Sequence, residues 1–295
     1  MVSRSRWAEL SLVGVTVVWG TTFTLVKDAL ADVSTIAFLA LRFTIGALLL
    51  AAIFRRSLFA SNSAKPTLRG GLLAGCCLAA AYLLQTAGLR ATTPTHSAFL
   101  TALCVVMVPL LGIFVYQSVP RWMEGLGVAT ALLGTGLLTS PFDRGGFSHG
   151  DLLTVGCAFA FACHILVLGA YAPKADLARL SVIQLATVAA LALATFWWAE
   201  PVTVRWSPRL IAAVAVTSVL CTALAFTVQA WAQQHTTATR AALIFSLEPV
   251  SAALTSYWVD GEILGGRSLA GAFLILAGVI GVEWKPSSPV RHPIE

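Results

Sequence analysis

Long, nearly unbroken apolar runs alternate with short polar connections along the whole chain. Ten runs stand out: about 9–26, 36–54, 70–89, 95–116 and 123–140, then 151–171, 181–198, 209–233, 239–258 and 268–284. Each holds roughly 16–25 residues, and at about 1.5 Å of rise per residue that length crosses ~30 Å of hydrocarbon as a helix. A membrane strand would need only about 10 residues of alternating polarity, and these runs are continuously apolar. The pattern predicts an all-α polytopic membrane protein with ten transmembrane helices. The first run follows Arg4 and Arg6, like a secretory leader, but its apolar stretch is too long and no small-residue cleavage pattern follows, so it is expected to be a mature helix.

Composition agrees with this reading. Of 295 residues, 58% are hydrophobic and 11% charged, against ~25% charged in a soluble domain. Too few charges remain to coat a soluble particle. Ten helices of ~20 residues use about 200 positions, and no connection exceeds about 15 residues, so no separate soluble domain is expected. Seven of nine tryptophans (Trp7, Trp122, Trp197, Trp198, Trp206, Trp258 and Trp284) fall near run ends, where an amphipathic ring favours the headgroup region.

The formal net charge of +6 resides in the connections, which points to membrane orientation and away from nucleic acid. With the N-terminus inside, 12 Lys and Arg fall on the cytoplasmic side and 6 outside; Arg42, within a run, completes the 19. Both termini are therefore expected in the cytoplasm and the chain in the inner (cytoplasmic) membrane. The six cysteines all lie inside apolar runs without metal-ligand spacing and read as small packing residues.

The halves repeat at a fixed offset. Adding 144 carries Cys77 to Cys221, Gln85 to Gln229, Thr93 to Thr237, Thr95 to Thr239, Leu103 to Leu247, Gly127 to Gly271 and Gly134 to Gly278. Adding 142 carries Leu10 to Leu152, Val13 to Val155, Gly14 to Gly156 and Glu9 to Asp151. The expected units are residues 1–142, with helices 1–5, and 147–286, with helices 6–10, followed by a cytoplasmic tail at 287–295. Five spans per unit is odd, so the second unit enters from the opposite side. That is an inverted repeat, a plan suited to alternating access.

The stretches Val18-Trp19-Gly20-Thr21-Thr22-Phe23, Leu41-Arg42-Phe43, Ser246-Leu247-Glu248-Pro249-Val250 and the glycine-rich 271–279 carry a resemblance. With ten spans in two five-helix repeats, the chain resembles the drug/metabolite transporter superfamily with its two EamA-type domains. The resemblance covers nearly the whole chain and implies an exporter of small organic metabolites, with the aromatic amino-acid branch as the closest guess and a cationic or amphipathic drug as the alternative cargo. The first repeat departs from the pattern: Cys104-Val105 stands where the second has Glu248-Pro249.

Glu248 is the outstanding residue. A carboxylate at mid-helix costs ~2.5–3.5 kcal/mol on insertion scales, so it must face the bundle interior, a partner or water. It reads either as a group that meets substrate or a coupling proton, or as a hydrogen-bonded pin between helices. His164 is its nearest candidate partner in depth. Leu78, Tyr82, Gln85 and Leu89 on helix 3, and Thr222, Phe226, Gln229 and Gln233 on helix 8, form equivalent helical faces. An aromatic ring beside an amide on each could line a cavity, or the amides could simply bond between helices. Trp19, Phe99 and Phe245 would add apolar walls. Arg42 reads as an anchor whose long stem reaches the outer interface, with Asp28 or Asp32 as partners. The paired glycines of helices 5 and 10 read as close-approach points.

An intramembrane enzyme would need an H-E-x-x-H helix, a nucleophile with its base or a second deep carboxylate, and the sequence offers none. A receptor scaffold would not need an inverted repeat. No phosphate-binding loop of the G-x-x-x-x-G-K-[ST] type and no ATPase subunit is evident. The expected partners are a small-molecule substrate and the bilayer; no metal or cofactor is implied, and a monomer suffices.

Overall fold

The computed structural model describes residues 4–59, 65–117, 119, 121–139, 148–259 and 265–283. In the first half the helices are α1 (Arg4–Gly20), α2 (Phe23–Ala29), α3 (Thr35–Ile53), the short α4 (Arg55–Phe59), α5 (Lys65–Ala91), α6 (Pro94–Ala102), α7 (Cys104–Tyr116) and α8 (Trp122–Thr139). The second half contributes α9 (His149–Tyr171), α10 (Leu177–Thr195), α11 (Pro208–Val216), a π-helical segment Thr217–Leu224, α12 (Ala225–Ala232), α13 (Ala238–Phe245), α14 (Glu248–Val259) and α15 (Gly266–Glu283). Pairing outside helices is limited, among the described residues, to one antiparallel bridge, Val33–Val204.

Seven helical stretches are long and apolar enough to cross a membrane: 4–29, 35–53, 65–91, 96–116, 149–174, 177–195 and 208–232. Trp122–Leu138 and Gly266–Val282 are shorter apolar helices. The chain is a polytopic, all-helical membrane protein. Its outer surface is what lipid requires, with Leu48, Leu72, Phe114, Leu133 and Phe273 exposed. Six of the seven rim tryptophans are also exposed, and Trp284 lies outside the described residues, as does the tail at 287–295.

Four runs that read as continuous helices are interrupted, and one of the four, 95–116, breaks at Leu103 between α6 and α7. The run at 209–233 contains the π-helical segment, where the Ala225 N–H reaches Leu220 O, five residues back. The run at 239–258 breaks at Ser246–Leu247. Pro249 explains this last break, since it has no N–H to give the Phe245 carbonyl and disfavours helical geometry at Glu248. The fourth break separates α1 from α2, where the Thr21 and Thr22 hydroxyls donate to the Val18 and Trp19 carbonyls, both at 2.9 Å.

In the packing, α5 lies against α9 and α10, α3 against α10 and α8 against α15. Glycines set how close the last pair comes. A Cβ on Gly271 would lie 2.5 Å from both Gly134 O and Leu138 N, and one on Gly134 would lie 2.6 Å from Gly271 O. Hydrogen bonds bind the ends. Lys27 donates to the Leu89, Arg90 and Thr92 carbonyls, capping the C-terminus of α5. Arg90 in turn holds Thr35 Oγ1 at 2.7 Å and the Val33 carbonyl.

Two acidic clasps occupy opposite ends of the bundle. At the end where α1 begins, Glu9 Oε1 accepts from Arg240 Nη1 at 3.1 Å, Thr236 Oγ1 at 3.3 Å and Ser5 Oγ at 3.0 Å. At the end where α9 begins, Asp151 Oδ1 accepts from Thr92 Oγ1 at 2.8 Å and meets His96 Nδ1 at 3.1 Å. Asp151 also closes a capping box with Ser148.

Two consequences can be measured on detergent-purified protein. Gly271→Leu should overpack the α8–α15 contact by about 1–3 kcal/mol and lower the thermal midpoint, whereas Gly281→Ala, with nothing near its added methyl, should leave it unchanged. Glu9→Ala should strand the buried Arg240 guanidinium at a cost of ~3–5 kcal/mol. Because the two groups share that penalty, Glu9→Ala with Arg240→Ala should cost less than the sum of the single changes.

Candidate functional site

The helix breaks at Thr21–Thr22, Leu103 and Ser246–Leu247 are flanked by residues that line one interior cavity. It is lined by Trp19, Thr22, Phe23 and Val26 from α1–α2 and by Arg42 from α3. Tyr82, Gln85, Thr86 and Leu89 come from α5, and Thr101 and Cys104 from α6–α7. The second half contributes Phe161, His164 and Ile165 from α9, Gln229 from α12, and Phe245 and Glu248 from either side of the α13–α14 break. The cavity volume open to water is about 60 Å³, room for a few waters at ~10–15 Å³ each.

Glu248 opens α14, so its carboxylate sits at a helix N-terminus, where the backbone dipole favours negative charge. It is 8% exposed and, among the described residues, has no hydrogen-bond or ion-pair partner. Gly20 makes room beside it: a Cβ there would fall 2.5 Å from Ser251 Cβ and 2.6 Å from the Glu248 carbonyl. The Trp-Gly-Thr-Thr stretch of α1 thus packs directly on the Leu-Glu-Pro stretch of α14.

Aromatic rings form the walls. Trp19 stacks on Phe226 and Phe245, each at 5.3 Å between centroids, and its indole N–H donates to Cys221 O at 2.9 Å. Tyr82 meets Phe43 at 5.1 Å and Phe161 at 5.4 Å, edge to face. The amides are tied down unequally. Gln85 donates to Thr101 Oγ1 at 3.2 Å. Gln229 donates to Gln233 Oε1 at 3.1 Å, Gln233 donates to Ile165 O at 2.8 Å, and Gln229 Oε1 is buried without a partner among the described residues.

Of the nine residues expected to line a cavity, seven do: Trp19, Tyr82, Gln85, His164, Gln229, Phe245 and Glu248. Phe226 is fully buried behind the wall, braced against Trp19, Tyr82 and His164. Phe99 is buried in the same bundle but is not part of the lining.

Two side-chain expectations are corrected. His164 does not partner Glu248; its Nε2 lies 3.1 Å from Gln184 Oε1 on α10, and its Nδ1 is buried without a partner. Arg42 does not reach the outer interface. It turns inward, 4% exposed, bonding Thr222 Oγ1 through Nε at 2.6 Å and Tyr82 Oη through Nη2 at 3.1 Å. Asp32 instead accepts from Ser207 Oγ at 2.6 Å. The sequence signal for Arg42 was present, since a lone cation inside an apolar run needs an interior partner or a functional use. Among the cysteines, Cys104 lines the cavity beside Glu248 and Cys76 is exposed; all six are free thiols.

Known proteins resemble this chain over nearly its full length. The family model described as EamA-like transporter family matches twice, at residues 6–140 and 148–284. An uncharacterized transporter of Archaeoglobus fulgidus is 32% identical over 277 residues, covering 94% of this chain and 86% of that protein. The uncharacterized transporter YwfM of Bacillus subtilis is 26% identical over 275 residues, covering 91% of this chain and 90% of its own. One solved crystal structure, titled only as a protein, superposes with a TM-score of 0.78 at 20% identity and covers 96% of this chain and 98% of its own, a likeness of fold. With two family matches that span nearly all of the chain and transporter-named relatives, this protein belongs to the EamA-like transporter family, within the drug/metabolite transporter superfamily, and is a membrane transporter, not an enzyme.

Proposed function

We propose that this transporter exports small organic metabolites, foremost amino acids with aromatic or other apolar side chains, by alternating access through the cavity around Glu248. The observation that carries the reading is the cavity itself: both sequence halves build it, rings and amides line it, and it holds an unpaired carboxylate. As found, it has room only for water, so a metabolite can enter only when the flanking helices part. A rocking mechanism supplies that motion.

The repeat supports such rocking. Gly127 and Gly134 of α8 oppose Gly278 and Gly271 of α15, the crossed pairing expected of two antiparallel, two-fold-related helices. Thr93 caps α6 by accepting from the His96 N–H, and its equivalent Thr237 caps α13 by accepting from the Arg240 N–H. The end clasps obey the same offsets: Glu9, Thr236 and Arg240 correspond to Asp151, Thr92 and His96. Each half thus has a closable polar contact at the opposite end of the bundle. Ten spans in two inverted repeats, with both termini in the cytoplasm of an inner-membrane protein, complete the reading. A reporter fused after Glu295 should read cytoplasmic, and an external reading would overturn the topology.

In proteoliposomes, purified protein should move phenylalanine or a similar apolar amino acid down its gradient. Flux of cationic amphiphiles alone would favour the drug-exporter alternative, and flux of neither would remove the assignment. Glu248→Gln should fold normally. It should lower the flux at least several-fold or flatten its dependence on pH between 5 and 8, because the neutral amide neither pairs with an ammonium nor takes up a proton. Wild-type rates with an unchanged pH profile would return Glu248 to a packing role.

A further inference from the structure

We propose that Arg42 is the anion-binding half of the cavity: it receives the carboxylate of a zwitterionic substrate whose ammonium is held by Glu248. This rests on the transport reading above and narrows its substrate class. A guanidinium presents five planar donors and no acceptor. Among the described residues the hydrogen bonds of Arg42 go only to neutral groups: Thr222 Oγ1, Tyr82 Oη and, at 3.5 Å, Cys221 O. Its guanidinium carbon lies 4.4 Å from the Tyr82 ring centre and 5.4 Å from that of Phe43. These contacts orient the cation without neutralising it. Nη1 has no partner among the described residues, and the side chain lines the cavity.

The charge pattern of the cavity is therefore one cation and one anion, not bonded to each other. The ion pairs among the described residues are His96–Asp151 and Arg240–Glu9, both at the bundle ends. Had the two served only to neutralise one another, direct contact in a low-dielectric interior would be strongly favoured. Lining one aromatic-walled cavity without bonding each other, they complement a molecule that carries a carboxylate and an ammonium with an apolar side chain. A purely cationic amphiphile would meet Glu248 but be repelled by Arg42, so the cavity disfavours that cargo. A guanidinium suits the carboxylate better than an ammonium would, because its planar donors can address both oxygens.

Four probes that share one ring separate the charges: phenylalanine, phenylalanine amide, phenylacetate and phenethylamine. Their binding to the purified full-length protein is read by equilibrium dialysis. Phenylalanine should bind at least about tenfold more tightly than its amide or phenethylamine, since neither of those offers the guanidinium a carboxylate for charge-assisted hydrogen bonds. Phenylacetate should compete with phenylalanine. Arg42→Gln should erase the preference for the carboxylate and Arg42→Lys should restore part of it. Because Arg42 also ties α3 to Thr222, both variants cost stability, and the wild-type comparison decides without them. Equal affinity for phenylalanine and its amide, or no binding of any probe, overturns the assignment. A carboxylate preference without flux in proteoliposomes leaves the anion site standing and removes the transport reading. Flux with no such preference does the reverse.

Discussion

Hydrocarbon solvates neither an unpaired peptide group nor an ion, and this constraint organises the whole molecule. A straight helix satisfies it within itself, whereas a broken helix does so only where protein or a water-accessible space takes up the freed groups. The interruptions at Thr21–Thr22, Leu103 and Ser246–Leu247 all fall beside the cavity. Threonine hydroxyls, the Trp19 indole and the Arg42 guanidinium meet acceptors there. The same breaks bring Glu248 and Cys104 to the first positions of α14 and α7, with helix N-termini directed at the interior. The polar chemistry and the irregular backbone share one location because neither is affordable at the lipid face.

The repeated sequence halves supply the frame and the differences between them supply the chemistry. The crossed glycine pairs of α8 and α15 and the paired threonine caps occupy equivalent places in both halves. The cavity residues do not: Glu248 answers to Cys104, and Gln229, bound to Gln233, answers to Gln85, bound to Thr101. The clasps differ too. Glu9 meets the guanidinium fork of Arg240, whereas Asp151 meets a ring nitrogen of His96.

Sequence reading reached the membrane class, the repeat offsets and seven of the residues around the cavity because each depends on local composition or periodicity. Apolar run length is set by bilayer thickness, and residues spaced by three and four share a helix face wherever that helix packs. Tyr82, Gln85 and Gln229 were legible on those grounds, and Glu248 on the cost of its charge. What run length could not show was continuity: the π-helical segment and the break before Pro249 lie inside stretches that are apolar throughout.

Tertiary structure alone decided the partners. Arg42 has room along its own helix to extend outward, and only the approach of Thr222 and Tyr82 from two other helices turns it into the cavity. His164 and Glu248 sit at compatible depths, yet α10 offers Gln184 to the imidazole and leaves the carboxylate alone. Phe226 and Phe99 carry the same inward-facing signature as Phe245, but helix rotation and neighbouring rings put only Phe245 in the lining. Depth and face are properties of one helix and are written in its sequence. Contact is a property of two, and is set by how closely glycines such as Gly20 and Gly271 let their helices approach.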